Sequence, residues 1–320
     1  MQKSGIAVVG TVLVDNLYGI SAYPAVGELT KILSVDLSVG GMVPNDGVDI
    51  KKIAPEIPVF AVGKIGADDR GRYATNFLKT QGVDVTYLKE SEGEATSFTD
   101  VMSVIGGQRT FFTFAGANAT FGFDDVPWDS LDVKMLHLGY FLLLDKVDGG
   151  DGLKILQEAK RRGISTSIDL VSENSDRYAC VIPCLPYVDN LILNETEAGK
   201  ICGVAPTEDN LVEIAKKLFL MGVNERVIIH TPETAVCVTA SGATELSSYV
   251  LPKGYIKGTT GAGDAFCSGA LVAIYEGCSE TEILSLAQMA AVVSLTEADA
   301  TSGVKEKTLL QEAVKGFKRR

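Results

Sequence analysis

Asn190-Leu191-Ile192-Leu193-Asn194-Glu195-Thr196-Glu197 runs from an apolar strand straight into the chemistry that starts a helix. An unbroken apolar run bounded this way reads as a strand covered on both faces, as in a parallel sheet. Asn194 followed three residues later by Glu197 has the form of a capping box. Working outward, the same kind of run recurs at 6–9, 58–62, 135–138, 164–170 and 227–230, and each predicts a strand. Helical periodicity fills the intervals. One helix is expected to be capped by Asp69 and to end before Gly82. Another carries Leu153, Leu156 and Ala159 and stops at Gly163. A third begins at Thr207, turns Leu211, Ile214, Ala215 and Leu218 inward, and ends at Gly222. Ser279 and Glu282 open a fourth, which carries Ile283, Leu286, Ala287 and Ala290. This alternation predicts a three-layer α/β sandwich, a mostly parallel central sheet flanked by helices. No internal repeat or low-complexity linker divides the chain, so residues 1–320 are expected to form one domain.

A second texture interrupts the first. Residues 97–105 and 110–114 are β-rich around Gly106-Gly107, which predicts a hairpin, and 12–20 and 31–37 are similar short β segments. Together they predict a small β lid formed from about 12–38 and 97–115.

The chain has 29 basic and 41 acidic residues, a net charge of -12. That balance argues against nucleic acid as a partner, because clustered Lys and Arg must replace counterions on phosphates. The one basic run, Lys318-Arg319-Arg320, reads as a solvated helix end. A phosphate-rich ligand would have to be held by backbone N–H groups and a metal. The six cysteines form no Cys-x-x-Cys pair, which predicts reduced thiols and neither a disulfide frame nor a zinc site. No stretch is long and apolar enough to span a bilayer and the start does not resemble a signal peptide, so a cytoplasmic protein is expected. His137 and His230 are the only histidines, and each ends an apolar run as a strand-end residue satisfied by hydrogen bonds would. Their scarcity removes most histidine-based metal sites and Ser-His-Asp triads.

In an open parallel sheet, ligands bind at the carboxyl ends of the strands, where Asp15, Asp169, Asn194 and Thr231 fall. The chemistry concentrates in Gly258-Thr259-Thr260-Gly261-Ala262-Gly263-Asp264, ahead of an apolar helix beginning Ala265-Phe266. Glycines at alternate positions let the backbone turn and aim successive N–H groups at an anion, with a helix N-terminus behind them. Asp264 at that end is placed to take a proton from a hydroxyl while the hole holds a phosphoryl group, and the positive helix end is expected to lower its pKa. Asn194 and Glu197 share a face at the crevice, where their oxygens suit Mg²⁺ held through its waters; as a plain capping box they would serve the helix alone.

These motifs resemble the ribokinase-like, or PfkB, family of carbohydrate kinases almost end to end. The resemblance implies the ribokinase-like fold with its β lid, a role for ATP and Mg²⁺, and a sugar or sugar-like acceptor phosphorylated on a hydroxyl, with a primary one expected. Gly261, Ala262 and Gly263 match the family's anion hole and Asp264 its base. Asn194 to Glu197 matches the Asn-x-x-Glu segment that organises Mg²⁺ and phosphates. Asp15, Gly40, Gly41, Asn45 and Asn118 match positions around the acceptor, and Thr231, Thr260 and Asn194 fall on the nucleotide side. Some family members dimerise through the lid, so a homodimer is open here. Nucleoside and vitamin kinases share the superfamily, and a weakly active sugar or nucleotide sensor would share the fold. Three positions depart from the pattern. Gly258 replaces an aspartate associated with an activating monovalent cation, so no requirement for potassium is set. Thr231-Pro232-Glu233-Thr234 replaces a Gly-containing turn. Leu170-Val171 follows Asp169 where Pro-Asn is usual.

Overall fold

The computed structural model describes residues 3–104, 107–173 and 175–320. Its strands are β1 (Ile6–Val9), β2 (Leu13–Ile20), β3 (Ile32–Gly40), β4 (Val59–Gly66), β5 (Leu88–Ser91), β6 (Phe98–Val104), β7 (Arg109–Phe114), β8 (Met135–Phe141), β9 (Ser165–Leu170), β10 (Asn190–Asn194), β11 (Arg226–His230), β12 (Thr234–Thr239) and β13 (Gly242–Ser247). The α-helices are α1 (Met42–Ile53), α2 (Asp69–Thr80), α3 (Gly116–Thr120), α4 (Gly152–Arg161), α5 (Glu195–Cys202), α6 (Leu211–Leu220), α7 (Ala262–Glu276), α8 (Glu280–Ser294) and α9 (Lys307–Ala313).

Nine strands form one sheet in the order β13-β12-β11-β10-β9-β8-β1-β4-β5. It is parallel from β11 to β5, and β12 and β13 add an antiparallel edge. Period-2 geometry divides the core. Ile6, Val8, Ile192 and Ile228 face one apolar layer with α1, α7 and α8, while Ala7, Val9, Leu191, Leu193, Val227 and Ile229 face another with α4, α5 and α6. The chain runs outward from β1 to β4 and β5, then returns to β8 on the other side. That reversal opens a crevice beyond the carboxyl ends of β1 and β8.

β3, β2, β6 and β7 form a separate four-stranded sheet, with β2–β6 parallel and the other two pairings antiparallel. The expected lid is therefore present, running to Gly40 rather than 38. Ile105 and Gly106 of the expected turn lie outside the described residues.

Two helix starts differ from expectation. Asp68, not Asp69, caps α2: its Oδ1 accepts from Gly71 N at 2.8 Å and from Thr96 Oγ1 at 2.6 Å, and its Oδ2 accepts from Thr96 N at 2.8 Å. Tertiary bonds to Thr96, at the base of the lid, decided between two adjacent aspartates. Thr207 opens a single 3-10 turn (Glu208–Asn210), and α6 proper begins at Leu211. β13 and the short β5 gave too weak an apolar signal to be predicted, whereas β12, with the apolar run Ala235–Val238, was not among the predicted strands.

Asp68 joins a helix start to the lid base through three bonds, all from buried residues. Asp68→Ala is expected to cost about 2 kcal/mol, measured by urea unfolding. A loss below about 0.5 kcal/mol would mean that solvent replaces these bonds.

Candidate active site

The crevice has two arms. The larger, about 740 Å³, is mainly apolar and includes Leu251, Ile256, Val292 and Phe266, with Thr231 at its rim. His230 stacks on Phe266, ring centroids 4.4 Å apart. The smaller arm, about 400 Å³, is lined by Tyr140, Asp169, Glu197, Gly261, Asp264 and Cys267. Asn194, His230, Thr259 and Gly263 line both.

The glycine loop joins the arms. Gly261 takes a left-handed conformation, φ 75°, and a side-chain carbon there would fall 2.6 Å from Ala300 Cα. Gly258 is equally enclosed, its hypothetical Cβ 2.8 Å from Ala298 Cα. With the 297–300 loop packed so closely, no aspartate fits at 258, which accounts for that departure. The amide of Ala262 donates to Thr259 O at 3.3 Å; among the described residues those of Gly261, Gly263 and Asp264 have no acceptor. Three donors at the start of a 15-residue helix thus remain for an anion. Thr260 is exposed and lines neither arm; Thr259 lines both.

Asp264 is buried, yet lines the smaller arm. Its Oδ2 accepts from Asn45 Nδ2 at 2.8 Å, and the Tyr140 hydroxyl donates to Oδ1 and Oδ2 at 2.8 and 2.9 Å. The expected lowering of its pKa is overturned. Burial raises it, and the hydrogen bonds from Tyr140 and Asn45 and the nearby His137 offset this only in part. A helix end supplies at most about 2 kcal/mol, less than the desolvation of a buried carboxylate. A raised pKa makes a stronger base than the helix end alone would.

Tyr140 was not singled out in the sequence. It follows the predicted strand end at 138, has φ 57°, and its amide donates to Asp169 Oδ1 at 2.8 Å. Burial and the neighbouring Asp264 push its own pKa well up, so its hydroxyl stays a donor.

Asn194 and Glu197 do form the capping box: Asn194 Oδ1 accepts from Glu197 N at 2.9 Å, and Glu197 Oε2 from Asn194 N at 3.1 Å. Ser172 Oγ donates to Glu197 Oε1 at 3.0 Å. Burial raises Glu197 to about 7 against these hydrogen bonds. Each carboxylate oxygen has one donor and retains acceptor capacity, a set that fits Mg²⁺ through its waters.

On the lid side, Asp15 is raised to about 6, burial outweighing a hydrogen bond from Thr99. A Cβ on Gly40 would fall 2.5 Å from Asp15 Oδ2, and one on Gly41 (φ 94°) 2.7 Å from Thr11 O. Close approach within the protein itself already explains both glycines. Asn118 Oδ1 accepts from Val12 N at 3.2 Å, which fixes the turn into the lid. Thr231 Oγ1 accepts from the amides of Glu233 and Thr234, at 3.0 and 2.9 Å, so it forms the β11–β12 turn while edging the larger arm. Asp15, Gly40, Gly41, Asn45 and Asp264 therefore make one continuous path from lid to base.

Known proteins resemble the chain throughout its length. A ribokinase of Arabidopsis thaliana is 26% identical over 292 residues, 89% of this chain and 74% of that protein. An adenosine kinase of Saccharomyces cerevisiae is 25% identical over 302 residues, 89% of this chain and 86% of that protein. Among solved structures, an Arabidopsis thaliana ribokinase complexed with ribose and ATP superposes with a TM-score of 0.83 at 22% identity, covering 98% of this chain and 99% of that one. The pfkB family carbohydrate kinase profile matches residues 3–307. With that match spanning nearly the whole chain, the protein belongs to the pfkB family of carbohydrate kinases and is a phosphotransferase.

Proposed function

We propose that the protein transfers the γ-phosphoryl group of ATP to a hydroxyl, a primary one, of a sugar or sugar-like small molecule, with Asp264 as general base. The observation that carries this is the shared location of a buried carboxylate and the unoccupied amides of Gly261, Gly263 and Asp264 on one crevice arm. Phosphoryl transfer needs little covalent help from the protein; it needs alignment and neutralisation of the transferring charge. The amides meet the phosphoryl group, and Asp264 takes the hydroxyl proton. The apolar arm, with His230 on Phe266, suits a flat base. Mg²⁺, held through its waters by Asn194 and Glu197, supplies charge neutralisation when bound. Asp15, Gly41 and Asn45 orient the acceptor under the lid, with Asn118 behind them. Relatives named ribokinase, deoxyribokinase and adenosine kinase support a pentose or a nucleoside as acceptor.

The lid supports a homodimer. Cross-strand register puts Leu37, Asn16, Asp100 and Phe112 in one row and Val35, Tyr18 and Met102 in another on the same face, with Asp15, Ser38, Thr99 and Thr113 on the opposite one. Val35, Leu37, Phe112 and Phe114 are all about half exposed or more. Exposed apolar side chains on the long lid strands, Phe111 of the opposite face among them, are what a second copy of the lid would cover.

Asp264→Asn is expected to lower turnover by about 10²–10⁴ with an unchanged far-ultraviolet spectrum. Asn45 can turn its unpartnered Oδ1 toward the new amide, so folding survives. The check is ADP release across a panel of pentoses and nucleosides; turnover within threefold of the parent would exclude this base.

Glu197→Gln keeps an acceptor for the Asn194 amide, so the helix start is retained. A carboxyl raised from 4.5 to about 7 costs stability as pH climbs through that window, up to about 3 kcal/mol. Between pH 4 and 8 the parent should lose that much more stability than the variant in unfolding measurements, since the raised carboxyls common to both, Asp15 among them, cancel in the difference. The Mg²⁺ concentration for half-maximal rate should rise at least about tenfold in the variant; an unchanged value assigns Glu197 to the helix cap alone.

Phe112→Asp on the lid is expected to convert a dimer to a monomer in sedimentation equilibrium. A parent protein already monomeric at high concentration would refute the lid pairing.

A further inference from the structure

Beneath Asp264, four side chains from distant parts of the chain converge: Asp46 of α1, His137 of β8, Asp169 of β9 and Cys267 of α7. One donor atom from each lies within 4.8 Å of every other, and all four residues are buried. None has a role in the transfer proposed above. Asp46 is fully buried, and neither of its carboxylate oxygens receives a well-aligned hydrogen bond among the described residues, though His137 Nε2 and the Cys267 and Ser268 side chains lie close to it. An unpaired carboxylate at that depth is costly unless a proton or a cation satisfies it.

The spacing would accommodate a cation. His137 Nε2 is 3.2 Å from Asp46 Oδ2, 3.8 Å from Asp169 Oδ1 and 3.6 Å from Cys267 Sγ. Around a tetrahedral zinc ion, standard bond lengths separate a nitrogen from an oxygen ligand by about 3.3 Å and from a sulfur ligand by about 3.6 Å. The other imidazole nitrogen, Nδ1, is 2.9 Å from Ser167 Oγ. An Nδ1–H donated to that hydroxyl leaves the Nε2 lone pair facing the cluster, the usual support for a metal-bound histidine. Burial holds His137 neutral, against the pull of Asp169 and Asp264. One nitrogen, one sulfur and two carboxylate oxygens favour zinc over magnesium or calcium. Asp169 and Cys267 also line the smaller crevice arm, which provides a way in.

We propose that Asp46, His137, Asp169 and Cys267 form a binding site for a zinc-class divalent cation, distinct from the magnesium that accompanies the nucleotide. The ion would tie α1, β8, β9 and α7 together under the catalytic carboxylate. Binding displaces the Cys267 thiol proton and any proton held by the carboxyls.

Co²⁺ is the probe, because a tetrahedral cobalt thiolate gives strong visible d–d bands and a near-ultraviolet sulfur-to-cobalt charge-transfer band. The full-length protein, stripped with a chelator, is titrated with Co²⁺ and then with Zn²⁺, and its melting is followed with each. One equivalent of Co²⁺ should produce both bands, Zn²⁺ should bleach them, and the melting temperature should rise with either ion. Cys267→Ser should lose the charge-transfer band, and Asp46→Asn, a near-isosteric change, should weaken Co²⁺ binding at least tenfold. Absence of a saturable tetrahedral spectrum overturns the proposal and leaves His137 as a hydrogen-bond donor to Asp46. So does a band that survives Cys267→Ser, since another thiol would then be the ligand. Should the serine variant fail to fold, unchanged Co²⁺ affinity in Asp46→Asn is equally decisive. None of these readouts depends on phosphoryl transfer, so the cation site stands or falls apart from the kinase reading.

Discussion

The site is organised by one buried carboxylate. Asp264, at the start of α7, is gripped by Asn45 from α1 and by Tyr140 from the end of β8. Those contacts join one helical layer to the carboxyl edge of the sheet at the topological reversal. Hydrogen bonds to a charged acceptor contribute about 1.5–3 kcal/mol each, enough to offset the about 1–3 kcal/mol stored in a non-glycine residue with positive φ. Tyr140, φ 57°, is that residue. Its amide is taken by Asp169 and its hydroxyl by Asp264, so the strained backbone is what lets one residue serve two carboxylates.

That arrangement concentrates carboxyl groups. Asp46, Asp49, Asp169 and Asp264 are all buried, and burial raises the pKa of each; mutual repulsion adds to it for the first three. Among the described residues, no lysine or arginine lines the smaller arm. A polyphosphate entering here would find no cationic side chain beside Asp264, and the free amides of the glycine loop and a metal brought with it could meet its charge. The net charge of -12 points the same way. An acidic site that accepts an anionic substrate depends on main-chain dipoles and cations to a degree that a lysine-lined site would not.

The large sheet was legible because its central strands are continuous apolar runs that place alternate residues in two separate cores. The lid was legible from its β-rich segments. What escaped was decided by contacts distant in sequence. Adjacent aspartates at 68 and 69 are equivalent as caps until Thr96 is seen to bond the first. Tyr140 carried no local signal beyond its place after a strand end. His137 was expected to be a satisfied strand-end residue and the cysteines to be inert, since neither shows metal-ligand spacing. Asp46, His137, Asp169 and Cys267 are so far apart in the chain that only the fold brings them within reach. The pKa of Asp264 was misjudged for a related reason: the helix end is visible in the sequence, but the depth of burial is not.

The Asn194–Glu197 pair shows how a helix cap can leave a carboxylate with acceptor capacity for a second partner. The capping box fixes the direction of Glu197 by bonding Oε2 to the Asn194 amide, and Ser172 fixes Oε1. Both bonds are single, and a carboxylate oxygen accepts two. The cap therefore holds the carboxylate rigid on the crevice wall without exhausting it, and burial raises it to about 7. A group poised there is readily drawn into its charged form by an arriving hydrated cation, because the approaching charge opposes the desolvation that raised it. Rigidity comes from the two hydrogen bonds and the raised pKa from burial, which outweighs them.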